Sequence, residues 1–200
     1  MVFRIFLLAG LLLSIRLPAP PPVAGQEGPF AFQVRGGSAV PVLGFRSQDR
    51  GWEGKTGLGA TLSMGFTIPL IGPLGGYLGF GQYRFGCDES VCSDGKSWVS
   101  TGFDVALRML LGEGAVRSWI QGGLHTHRME GWVLQGEESR YLTSQGGNGY
   151  EVGGGILVKV GERMSVSPGL RYGEGTVPFS DRPSLRPRYL LLDVGLVVGF

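Results

Sequence analysis

Cysteine and histidine are scarce in this chain, two of each in 200 residues, and charge nearly cancels, with 18 Lys and Arg against 16 Asp and Glu. So few thiols exclude a disulfide-dense scaffold, and the inventory is wrong for a structural zinc site. Near-neutral charge excludes the basic footprint of a nucleic-acid binder, and no nucleic-acid partner is expected. Beyond residue 25 no stretch of 18 consecutive apolar residues occurs, so no helix is expected to span a membrane. What abounds instead is glycine, 37 of 200 residues without a collagen period. Each glycine in a helix interior costs about 1 kcal/mol relative to alanine, which argues against a helical protein.

The first 25 residues read as an address. Arg4 precedes the apolar stretch Ile5 to Ile15, and Pro18, Pro20, Pro21 and Pro22 lead into the small residues Val23, Ala24 and Gly25. That order suits a secretory signal peptide cleaved after Gly25, leaving residues 26–200 as a single domain. Its removal takes away Arg4 and Arg16 and no acid, so the remainder carries 16 basic and 16 acidic residues.

The remainder alternates with period two. Leu190, Leu192, Val194, Leu196, Val198 and Phe200 are apolar, while Asp193, Gly195 and Gly199 fall in the intervening set. The split recurs in Leu58 to Ile68, Val99 to Met109, Tyr150 to Val160 and Met164 to Tyr172, with weaker copies in Phe30 to Ala39, Gly75 to Gly86 and Val116 to Arg128. A strand alternates in this way; a helix would scramble the two classes. The connectors alternate too. Val40–Thr56, Cys87–Ser97, Met129–Gly149 and Gly175–Pro187 are long, and Pro69–Leu74, Gly112–Ala115 and Gly161–Arg163 are short. Long loops therefore emerge at one end. This predicts an all-β, eight-stranded, antiparallel up-and-down transmembrane barrel, with its apolar face toward lipid. A soluble secreted barrel binding an apolar ligand would turn that face inward.

The inward face is expected to hold Gln33, Arg35, Thr61, Ser63, Gln82, Arg84, Asp104, Arg108, Arg117, Gln121, His125, His127, Glu151, Lys159, Ser165, Ser167, Arg171 and Asp193. Buried charges must be paired, so Arg171 with Asp193 and Arg84 with Asp104 are the expected couples. Eight strands leave an interior just wide enough for side chains, which predicts a lumen plugged by this polar network. The Gly75 segment is assigned with Tyr77, Tyr83 and Phe85 outward.

Over residues 29–200 the sequence resembles the small outer-membrane β-barrel family of Gram-negative-type bacteria. Its terminal Phe200, with Val198, Leu196 and Val194 alternating before it, is similar to the signal read by the barrel assembly machinery. The resemblance implies insertion in the outer membrane, among its lipids and lipopolysaccharide, as a monomer. The family includes adhesins, stress-related structural proteins and a few lipid A enzymes, and a structural or surface-interaction role is expected here. Lipid A deacylases of this class use a His-Ser-Glu arrangement on the lipid-facing wall, with serine two residues after histidine. Here His127 stands where that serine would follow His125, which weighs against an enzyme. No cofactor is expected.

Other chemistry-bearing residues have plainer readings. His125 and His127 share a face and could act with Glu130, Glu137 or Glu151 as an acid/base or metal pair, but a place in the polar network accounts for them. Cys87 and Cys92 enclose Asp88, Glu89, Ser90 and Val91, and a disulfide is the expectation in an oxidising compartment. Asp88, Glu89 and Asp94 read as a solvated loop. In the outer loops Arg46, Arg50, Trp52, Lys55, Trp132, Arg140, Tyr141, Arg182, Arg186 and Arg188 mix cations with aromatics, which suits an interface girdle or lipopolysaccharide phosphates.

Overall fold

The computed structural model describes residues 30–42, 46–47, 56–87, 97–135, 138–181 and 183–200. The expected signal segment lies outside them, as do Asp88, Glu89, Cys92 and Asp94 and the side chain of Cys87, so the expected Cys87–Cys92 disulfide does too.

Alternation becomes strands. They are β1 (Ala31–Pro41), β2 (Arg46–Ser47), β3 (Thr56–Ile71), β4 (Leu74–Cys87), β5 (Ser97–Leu111), β6 (Val116–Gln135), β7 (Glu138–Thr143), β8 (Gly147–Lys159), β9 (Met164–Thr176), β10 (Leu185–Arg186) and β11 (Arg188–Gly199). Eight of these, β1, β3, β4, β5, β6, β8, β9 and β11, pair antiparallel around a closed ring. The ring shuts where β1 meets β11, with Val34 opposite Leu196, and Phe200 N–H donates to Phe30 O at 2.9 Å. Closure leaves no sheet edge in the wall, as a spanning sheet requires. No helix occurs among the described residues.

The short connections need tight turns, and glycines at positive φ make two of them, Gly72 (φ 54°) and Gly112 (φ 86°). At the opposite end the chain does more than loop. β6 runs on past Met129 and returns as β7, with Trp132 opposite Tyr141, so the segment expected as the loop Met129–Gly149 is largely a hairpin extending the wall. β2 and β10, from the first and last long connections, pair with each other.

The outer wall is apolar. Leu62, Phe103, Val105, Leu124, Val152, Leu192 and Val194 are exposed, Leu124 by 70%. Along β11 the outward residues run from Leu190 to Phe200, ~33 Å of strand at ~3.3 Å per residue, which a tilt of ~40° reduces to ~25 Å of height. That is the height of a lipid-facing band. Tyr150, Tyr172, Trp132 and Tyr141 stand toward the long-loop end, where an aromatic girdle would meet headgroups.

One strand faces the other way from expectation. On β4, Tyr77, Tyr83 and Phe85 are buried inside, while Leu78, Phe80, Gln82 and Arg84 are exposed outside. The ladder enforces this: Leu78 lies opposite Phe66 and Val105, and Phe80 opposite Met64 and Phe103, all outward residues. Arg84 therefore cannot reach Asp104 through the wall. The tyrosines fill the lumen because glycines make room for them. A Cβ on Gly65 would lie 2.6 Å from the Tyr77 ring, and one on Gly173 2.5 Å from that of Tyr189. Trp119 is seated the same way, 2.5 Å from a Cβ built on Gly169.

Candidate functional site: the barrel interior

From the short-turn end to the loop end the interior has three tiers. In the lowest, Arg108 donates from Nε to Gln121 Oε1 (3.0 Å) and from Nη1 to Gln33 Oε1 (2.7 Å). Its guanidinium lies 4.8 Å from the Tyr77 ring centre and 5.1 Å from that of Trp119, while Arg35 covers Trp119 at 4.5 Å. Arg117 is buried nearby at 8% exposure.

The middle tier is an ion-pair chain. Asp193 accepts from Arg35 Nη1 at 3.0 Å and from Arg171 Nε and Nη2 at 2.8 and 2.6 Å. Arg171 Nη1 donates in turn to Glu151 Oε1 at 3.1 Å. Two cations and two acids, all nearly inaccessible, thus neutralise one another across β1, β11, β9 and β8. Charge-assisted, partly bidentate geometry of this kind is what burial of ions demands.

The upper tier joins Asp104, His127 and Ser100. Asp104 Oδ1 lies 3.1 Å from His127 Nε2, and His127 Nδ1 lies 3.1 Å from Ser100 Oγ. A carboxylate only accepts, so Nε2 carries the proton it gives to Asp104, while Nδ1 shares a hydrogen bond with the Ser100 hydroxyl. Tyr83 O–H donates to Asp104 Oδ2 at 3.4 Å, and the His125 ring packs on His127 with centres 4.6 Å apart. Toward the loop end follows an apolar cap of buried side chains, among them Phe85, Trp98, Met129, Leu142, Val177, Phe179, Leu185 and Leu191.

Comparison with known proteins adds the fold. No protein-family model matches, and no curated protein matches. Among solved structures, Neisserial surface protein A superposes with a TM-score of 0.62 at 15% identity, over 86% of this chain and 98% of that one. The outer membrane protein OprG from Pseudomonas aeruginosa does so with a TM-score of 0.50 at 12% identity, over 85% of this chain and 96% of that one. The fold is that of the small eight-stranded outer-membrane β-barrels.

Within this outer-membrane-barrel fold, the interior brings together Arg35, Asp104, Arg108, Arg117, His125, Glu151, Arg171 and Asp193, and puts Arg84 on the outer wall. Lys159 and Ser165 stand at the short-turn mouth. Sequence reasoning missed Tyr77, Tyr83, Ser100 and Trp119 as interior residues that bind or pack on the charges. The phenolic and indole polar groups, each needing a partner when buried, were the available signal. Ser100, His127 and Asp104 have the composition of an acyl-transfer triad, but each is at most 4% exposed and they lie beneath the apolar cap. This chain of hydrogen bonds ties β5 to β6.

On the outside, Gln82, Thr101 and Arg128 form one row across β4, β5 and β6, and Arg84, Val99 and Glu130 the next. With Phe80 and Phe103 below and Trp132 and Tyr141 beside them they bound an open groove of about 720 Å³. Tyr141 O–H donates to the Glu130 carboxylate, a bond that pushes the Tyr141 phenol above its ordinary pKa.

Proposed function

We propose that the chain is an integral protein of the bacterial outer membrane with a structural or surface-interaction role and no enzymatic one. The observation that supports this reading is the pairing of an apolar outer wall with an interior lined by buried ion pairs and large side chains. An ion-pair chain occupies the middle of the lumen, and buried apolar side chains cluster toward the loop end. Such a lumen offers a solute no path, which leaves the outer surface and the long loops to carry function. Residues 1–25 act as the signal peptide, and Val194, Leu196, Val198 and Phe200 present the assembly machinery with its terminal strand. The barrel is a monomer. Its lipid-facing wall meets outer-membrane lipids, and the groove beside Arg84 and Arg128 suits the phosphates of lipopolysaccharide.

The test is fractionation of a Gram-negative host expressing the full chain, followed by trypsin on intact cells. The protein should sediment with outer membranes, resist carbonate extraction and be cut on the long-loop side, where Arg140 is exposed. Recovery in the soluble periplasm, or cleavage at Arg163 in sealed cells, would overturn the reading.

A further inference from the structure

The outer wall carries Arg84, Arg128 and Arg188 toward its loop end, and only the last is matched by an acid. Arg188 donates to Glu174 Oε1 at 2.8 Å, and the Tyr150 and Tyr172 hydroxyls donate to the same carboxylate at 3.1 and 2.9 Å. That cluster satisfies itself. On β4 and β6 the outcome differs. Among the described residues the Arg84 side chain makes no hydrogen bond or ion pair, and Arg128 makes no ion pair and donates from Nε to Ser144 O at 3.2 Å. Glu130, the one acid among the residues lining the groove beside them, is held by the Tyr141 hydroxyl instead. The two unmatched arginines are also level. The paired row that leaves Phe32 on β1 and crosses β3, β4, β5, β6, β8 and β9 returns on β11 at Arg188 rather than Val198, so rows climb toward the loop end from β4 to β6. Arg128 shares its row with Gln82, and Arg84 stands two residues above Gln82 on β4. At a tilt of ~40° the row gains ~6 Å of height over two strand spacings, and two residues of strand gain ~5 Å. Between the arginines, Gln82 Nε2 donates to Thr101 Oγ1 at 3.5 Å. Below them Phe80 and Phe103 pack edge to face, and beside them the Trp132 and Tyr141 rings stand 5.2 Å apart.

Two cations held on a lipid-facing wall without a counter-charge, level with each other and above an apolar floor, call for an anion that is itself anchored in the membrane. We propose that the groove of about 720 Å³ between β4 and β6 seats one phosphorylated glycolipid of the outer leaflet. This deepens the surface-interaction role proposed above and rests on it. Arg84 and Arg128 take the phosphates of the headgroup, their forked guanidiniums matching phosphate oxygens. Thr101 and Gln82, between them, hydrogen-bond to sugar hydroxyls. The angled faces of Trp132 and Tyr141 cover the C–H face of a pyranose, which a glycerol headgroup does not offer. The acyl chains run down the wall over Phe80 and Phe103 into the apolar band.

The experiment reconstitutes the full chain in phosphatidylcholine nanodiscs with rising fractions of one test lipid and counts, by native mass spectrometry, the molecules that stay on the barrel when it is released. The test lipids are bisphosphorylated lipid A, the same lipid stripped of phosphate, and phosphatidylglycerol. Wild type should retain one bisphosphorylated lipid A per chain, saturably, and hold the other two about fivefold more weakly or worse, a difference of ~1 kcal/mol. Arg84→Gln and Arg128→Gln should each weaken retention of lipid A by a similar factor. Arg188→Gln, which removes a cation that Glu174 already matches, should leave it unchanged. Phosphatidylglycerol or the stripped lipid held as tightly as lipid A, retention without saturation, or both Arg84→Gln and Arg128→Gln binding as wild type would overturn the proposal while leaving the outer-membrane reading intact. A chain that does not enter the discs would overturn that reading and this proposal with it.

Discussion

Asp193 is the residue on which the interior most depends, and its removal gives the sharpest energetic prediction. Its two oxygens accept three charge-assisted hydrogen bonds, one from Arg35 and two from Arg171, at zero side-chain exposure. Arg171 keeps Glu151 when Asp193 goes, but Arg35 keeps only the face of Trp119, since its Nε and Nη2 already lack partners. Breaking a buried pair from one side costs about 3–5 kcal/mol, because the surviving charge is left uncompensated in a low dielectric. At a urea slope of ~2 kcal/mol/M, Asp193→Ala should lower the unfolding midpoint of the refolded barrel by ~2 M. Asp193→Asn, which keeps an acceptor and the shape, should cost less. Adding Arg35→Met to Asp193→Ala should recover part of the loss, since the stranded cation is then gone. A midpoint shift below ~0.5 M for Asp193→Ala, a small fraction of the expected loss, would refute the ion-pair account of the interior.

Other perturbations test other parts of the structure. Val105→Arg should block insertion, as a cation near the midplane of the lipid face costs roughly 2–4 kcal/mol, whereas Arg84→Gln should leave stability within ~0.5 kcal/mol by urea unfolding. A large loss at Arg84 would restore it to the interior. Gly169→Val should destabilise the barrel by ~1–3 kcal/mol in the same assay, because even a Cβ there stands 2.5 Å from the Trp119 ring. Planar-bilayer recordings of wild type should show negligible conductance. Stable porin-like steps would contradict the filled lumen.

Much of this fold was legible because period two survives wherever large apolar side chains alternate with small or polar ones. In β3, β5, β6, β8, β9 and β11 that contrast assigns each face correctly. It vanishes in β4, where Leu78 and Phe80 alternate with Tyr77, Gly79 and Gly81 and both faces hold apolar carbon. Only the ladder with β3 and β5 resolves which side the tyrosines take, together with the glycines that accept their rings. The expected Arg84–Asp104 pair failed with that facing, and Asp104 instead meets His127 and Tyr83. The Ser100–His127–Asp104 connection depends on the β5–β6 register, with Gly102 opposite His127, which no local pattern encodes. The apolar cap was invisible for a similar reason. Leu142, Val177, Phe179 and Leu185 come from connecting segments with no period of their own, and only closure of the barrel brings them over Trp98 and Met129.

Whether the apolar wall faces lipid while the aromatic interior does not is measured most directly by fluorescence quenching from acyl-brominated lipids. Two variants reconstituted in such bilayers suffice, both with Trp52, Trp98 and Trp132 replaced by phenylalanine. One keeps Trp119 as its sole tryptophan; the other also carries Trp119→Phe and has its reporter at Phe103→Trp, on the wall. Phe103 is 57% exposed on the outer face and Trp119 is 2% exposed within. The account predicts strong quenching of the Phe103→Trp reporter and little of Trp119. Quenching of Trp119 with the wall reporter unaffected, or quenching of neither, would contradict it.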